Sequence, residues 1–206
     1  EGDALRKALL VMGEKKSRLV TYDTMDEDDA IIGAGLGCNG IIRVLIEPID
    51  IADSANPISY LELVNTNRQK KVLITLFSLQ DKKAQQYGTC LLVKEDVKDV
   101  LEDEAKEAMV KQISSFKNYS LDDQILTAFI EMIHPPVSLI IIGAGNDVIP
   151  LVDMAGILGW ETTVVDGRPN YAKKERFINA CQVIVLKPEN VLEQITIDEQ
   201  TVFLLM

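Results

Sequence analysis

Two textures of apolar and polar positions divide the chain. After Pro136, apolar runs recur: Ser138 to Ile142, Thr162 to Val165, Val183 to Leu186 and Thr201 to Leu205. Strands apolar at nearly every position are buried on both faces, as parallel strands between helices are. Val148, Leu151, Val152, Ala155 and Leu158 repeat at helical spacing between the first two runs, which makes a βαβ unit. The upstream pattern is mixed. Leu5, Ala8, Leu9 and Met12 predict a helix stopped at Gly13, and Arg18 to Tyr22 a short strand. Ile41 to Pro48 reads as a buried strand fed by a glycine-rich loop. Asn56-Pro57 reads as an N-cap and first-turn proline, with Ile58, Leu61 and Val64 on one helix face. Val72 to Phe77, Thr89 to Val93 and Ala128 to Ile133 are further strands. Lys94 to Asp123 is highly charged and predicts a solvent-facing helix or an interdomain connector. The paired prolines after His134 stop regular structure and mark a boundary between residues 1–134 and 135–206. The fold class is therefore α/β: a mixed α/β N-terminal domain followed by a Rossmann-like parallel-sheet domain.

Composition narrows the chemistry. With 47% hydrophobic residues over 206 positions there is material for sizeable cores. Net charge is -11, from 32 acidic against 21 basic residues, so a nucleic acid is not an expected partner. No apolar run approaches the ~20 residues of a membrane span. Three cysteines without CxxC spacing fit a reducing cytoplasm, and the single histidine, His134, leaves little room for a His-based triad or a His-rich metal site. The five acids between Asp23 and Asp29 lack the alternation of a calcium loop and read as a solvated turn. The acidic start is no signal peptide. It opens without Met, and the other end stops within an apolar run, so the chain is expected to be an internal piece of a longer protein.

Gly143-Ala144-Gly145 stands between a predicted strand and a predicted helix, where a dinucleotide fingerprint belongs. Gly143 permits the tight turn, Gly145 lets backbone approach a phosphate, and the amides after Asn146 face the anion. Asp166 ends the next strand, near the ~20-residue spacing of a ribose-binding acid. Arg168 is placed to meet an extra phosphate or to lie exposed in a loop. Two residues depart from the fingerprint. Val148 occupies the third glycine's position, and Asp147 sets a carboxylate at the helix start, where it caps the helix or competes with a pyrophosphate.

The second unusual stretch is Gly35-Leu36-Gly37-Cys38-Asn39-Gly40. Glycines around one cysteine expose backbone amides and give the thiol room to reach a ligand, and a thiolate is a soft ligand for a metal such as molybdenum. A small buried residue in a tight loop has the same appearance, and that reading suits Cys90 and Cys181 better. Glu47, beside Pro48, either orients a ligand or pairs with a cation.

Together these loops resemble the XdhC/CoxI family, accessory proteins of xanthine dehydrogenase and related molybdenum hydroxylases. The matching residues are Gly35 to Gly40 with Ile46-Glu47-Pro48, Leu139 to Gly145 with Pro150-Leu151, and Val164 to Pro169. The family's usual upstream motifs (SxPRP-like and Ser-Gly-Gly-Cys-x-Glu) do not occur here, and its Rossmann-like domain continues beyond the position of Met206. The resemblance implies a chaperone that binds molybdenum cofactor and supports its sulfuration and insertion into the apo-hydroxylase. Cys38 would then contact the molybdenum. Gly35, Gly37, Asn39, Gly40, Glu47, Gly143, Gly145, Asn146, Asp147, Asp166 and Arg168 would line the cofactor. No catalytic residue is implied. The implied partners are the apo-hydroxylase, a cysteine desulfurase and a second copy of the chain, the last because apolar strands at an interrupted chain end need cover. Two other readings stand beside this one. Gly143, Gly145 and Asp166 also suit an NAD(P)-binding oxidoreductase, although no proton donor is evident and Tyr171 and Lys173 are not spaced as a catalytic pair. A Rossmann-like interaction module without a ligand is the third.

Overall fold

The computed structural model describes residues 2–23, 40–54, 56–80, 86–90, 98–121 and 124–206. The chain divides into two compact units, Glu1–Ile133 and His134–Met206.

The first unit opens with helix α1 (Gly2–Glu14). Its one buried residue is Val11, and the predicted apolar face of Leu5, Leu9 and Met12 is exposed. Gly13 lies inside the helix, and the reversal comes at Lys15, which takes a φ of 51°. Strands β1 (Arg18–Asp23) and β2 (Ile41–Ile46) form an antiparallel ribbon, pairing Arg18 with Ile46 and Asp23 with Ile41. Burial of β2 was the sequence expectation, and it is corrected: Ile41, Ile42 and Val44 are exposed. Branched aliphatic residues favour the extended backbone whether or not a second layer covers them.

Helix α2 (Pro57–Asn65) starts as its sequence dictates, with the Asn56 side chain accepting hydrogen bonds from the Ile58 and Ser59 amides. Its buried residue is Tyr60, whereas Ile58 and Leu61 are exposed. Then follow β3 (Lys71–Phe77), β4 (Gly88–Cys90), helix α3 (Lys98–Lys111), β5 (Ser115–Leu121) and β6 (Gln124–Ile133). The strands form an antiparallel sheet in the order β4-β3-β6-β5. The charged stretch is thus not only helix. Gln112, at a φ of 57°, ends α3 and lets the chain return as the edge strand β5. Nor is α3 wholly solvent-facing: its Leu101, Ala105 and Ala108 pack on Val72, Ile74, Ala128 and Ile130.

The second unit is a parallel sheet built from β7 (Ser138–Ile142), β8 (Glu161–Asp166), β9 (Gln182–Val185) and β10 (Thr201–Leu205), in the order β10-β7-β8-β9. Helix α4 (Val148–Ile157) joins β7 to β8, and a short helix, α5 (Val191–Gln194), precedes β10. Leu139, Ile141 and Val164 face Val148, Val152 and Ala155 of α4. Ile140 and Val165 face Val191 on the other side. Two covered faces are the physical reason why β7 and β8 read as apolar runs, whereas the expected burial of β9 and β10 is corrected: Val185, Val202, Phe203 and Leu205 are exposed.

The chain leaves β7 towards β8, while β10 returns on β7's other flank, so the topological switch point lies at the carboxyl ends of β7 and β10. Gly143 sits there with a φ of 121°, and a Cβ would overlap the main-chain oxygen of Met206. Only glycine fits this close approach. Among the described residues, no helix is long and apolar enough to cross a membrane.

Candidate functional site

The turn after β7 is held from several directions. The Gly143 amide donates to Val165 O (2.8 Å), which ties the turn to β8. The Ala144 amide donates to Asp166 Oδ2 (3.0 Å). Arg176 Nη1 donates to Ala144 O and Arg176 Nη2 to Asn146 Oδ1, both at 2.8 Å. Asp147 stands just before α4 but makes no capping hydrogen bond, and its carboxylate lies over Gly145. Val148, in the place of a third glycine, is fully buried and packs α4 against the sheet.

Asp166 is the best-connected group of this turn. It is 6% exposed and ends β8. Arg168 donates to it three times: from its amide to Oδ1 (2.8 Å), from Nε to Oδ1 (2.9 Å) and from Nη2 to Oδ2 (2.7 Å). The Arg168 guanidinium beside it holds the carboxyl well below the usual carboxylate range, against burial, which acts the other way. The guanidinium also stacks on Tyr171, 3.9 Å from the ring centroid.

In the first unit, Glu47 follows directly on β2. Its Oε1 accepts from the Thr89 amide and its Oε2 from the Thr89 hydroxyl, both at 2.6 Å. Among the described residues the partner is therefore the edge strand β4 and not a cation. Gly88 takes a φ of 85°, and a Cβ there would overlap Glu47 Oε1, so glycine is what admits the carboxylate. Glu47 lines a cleft of about 1210 Å³ shared with Lys15, Lys16, Arg18, Asn56 and Gln86. Lys15 pairs with Asp50 at 3.2 Å and Arg18 with Glu14 at 3.1 Å.

The sequence-predicted residues therefore fall into three groups. Gly143, Gly145, Asn146, Asp147, Asp166 and Arg168 come together at the β7 turn. Gly40 lies just before β2 and Glu47 just after it. Gly35, Gly37, Cys38 and Asn39 lie outside the described residues. Cys90 is buried in the sheet core as expected, but Cys181 is exposed, a correction. Among the described residues, no three His, Cys, Asp or Glu side chains are grouped so as to hold a metal ion. Sequence reasoning missed Thr89, Tyr171 and Arg176. Only Tyr171 and Arg176 left a trace, as an aromatic and a cation shortly after the Asp-Gly-Arg turn.

Residues 139–206 match the family model described as the XdhC Rossmann domain. A probable xanthine dehydrogenase subunit from Bacillus subtilis (strain 168) is 28% identical over 194 residues, which cover 94% of this chain and 56% of that protein. A crystal structure described as a xanthine dehydrogenase from Bacillus halodurans aligns with a TM-score of 0.71 at 27% identity, over 99% of this chain and 58% of that one. The chain thus spans little more than half the length of these relatives.

Proposed function

We propose that the chain, whose residues 139–206 match the XdhC Rossmann domain and which resembles its relatives through both units, is an accessory protein of xanthine dehydrogenase-type molybdenum hydroxylases. In this reading it holds molybdenum cofactor as cargo while a cysteine desulfurase supplies sulfur, and then passes the cofactor to the apoenzyme. The observation that carries the reading is the extent of the likeness. It runs through both units and is not confined to the widespread Rossmann-like part. The chemistry of the chain agrees. Cys38 offers a soft thiolate to a thiophilic metal. The cleft beside Glu47 carries Lys16 together with Lys15 and Arg18, which would exchange their Asp50 and Glu14 partners for the phosphate of a pterin cofactor. In sequence, Gly35 to Gly40 lead directly into β2, and Glu47, which lines the cleft, follows that strand.

The test is direct. The protein is mixed with cofactor released from a molybdenum enzyme, passed through a gel-filtration column and assayed for molybdenum and pterin. The wild type is expected to retain both, and Cys38→Ala to bind more weakly by roughly tenfold or more. Undiminished retention by Cys38→Ala removes the thiol from the account. Failure of the wild type to retain cofactor removes the account itself.

A further inference from the structure

We propose that Arg168 plugs the ribose position of the Rossmann unit, so that Asp166 does not serve NAD-type dinucleotides while the plug is in place. In a dinucleotide-binding βαβ unit, the acid ending the second strand accepts a hydrogen bond from a ribose hydroxyl. Asp166 stands in this position, but its oxygens are taken. The Ala144 amide of the glycine turn donates directly to Asp166 Oδ2, at 3.0 Å.

The acid's capacity is also used up. A carboxylate offers about four acceptor sites. Asp166 fills them with the Ala144 amide, the Arg168 amide, Arg168 Nε and Arg168 Nη2. A ribose diol would have to displace a charge-assisted, two-branched guanidinium contact with neutral hydroxyl donors, and that exchange is unfavourable. The geometry is local: Asp166 accepts from the amide two residues on, and the Arg168 side chain folds back onto the same carboxylate.

The plug is anchored as well. Arg168 stacks on Tyr171, whose carbonyl accepts from Arg176 Nη1 at 2.7 Å, and Arg176 in turn holds Ala144 O and Asn146 Oδ1. Plug and turn are thus braced by one network. Yet the Arg168 side chain is 61% exposed, so it can be removed without opening the core. This inference does not rest on the cofactor-delivery reading, and none of its readouts involves molybdenum.

Calorimetric titration of the whole protein with NAD+ tests it. Arg168→Ala is expected to bind NAD+ at least about tenfold more tightly than the wild type, and a further Asp166→Asn to abolish the gain. Arg168→Gln, which keeps one donor beside Asp166, is expected to fall between them and carries the comparison if the alanine variant folds poorly. In the wild type, the Arg168 Nε–H resonance is expected to stay unshifted up to about 1 mM NAD+. Equal affinity in wild type and variants, whether measurable or nil, overturns the proposal, as does a wild-type Arg168 resonance that moves to saturation below that concentration.

Discussion

Asp166 remains ionised in a place where burial alone would favour the protonated acid, and the reason is four donors aimed at two oxygens. Its folded-state proton affinity lies below that of the unfolded chain, for which 3.8 is the ordinary value. The stabilisation it contributes is therefore complete above that pH and is lost as pH falls further towards the folded-state value. Asp166→Asn should be less stable than wild type at neutral pH, and the gap should hold down to about pH 4 and narrow as pH falls below it. Urea midpoints along that series check it, and a gap that stays constant would contradict the assignment. Much of this turn was legible in the sequence. Gly143 was marked by its place between strand and helix, and its positive φ agrees. What could not be read was that Asp166 and Arg168 satisfy each other. Both residue types suit a nucleotide, and only the three hydrogen bonds between them show that they meet first.

Element by element, the sequence was most informative where burial was two-sided. Ser138–Ile142, buried at four of its five positions, begins and ends where its apolar run does. The first unit was harder, because its strands have unlike faces. On β5, Lys117 alternates with Phe116 and Asn118, so the strand reads as polar chain; in the fold Lys117 reaches Glu104 and Glu107 of α3. On β2 the error ran the other way, since apolar residues lie exposed on a two-stranded ribbon. A polar tie joins that ribbon's end to the sheet: Glu47 on Thr89, admitted by Gly88. No pattern marks such a pair across 42 residues. A double-mutant cycle of Glu47→Ala and Thr89→Val isolates the carboxylate–hydroxyl bond, because loss of the amide contact occurs in both arms and cancels. The expected coupling is about 1 to 2 kcal/mol by urea unfolding. Coupling near zero would mean that the ribbon is held without this bond.

At the scale of the whole molecule, the cores are drawn from separate stretches of chain. Residues of the antiparallel sheet and α3 make one cluster, and residues of the parallel sheet make two more, one on each face. Each unit therefore has its own reason to fold, and unfolding need not be a single event. The chain's one tryptophan, Trp160, lies in the second unit, so its fluorescence reports that unit alone, whereas far-ultraviolet circular dichroism reports both. Ile130 and Ile141 are both fully buried, one in each unit, and alanine at either should cost about 2 to 5 kcal/mol locally. Ile141→Ala is expected to lower the denaturant midpoint seen by Trp160, and Ile130→Ala to leave it in place while shifting part of the dichroism transition. If Ile130→Ala moves the tryptophan midpoint as far as Ile141→Ala does, the two units unfold as one, and the independence inferred from their separate cores is wrong.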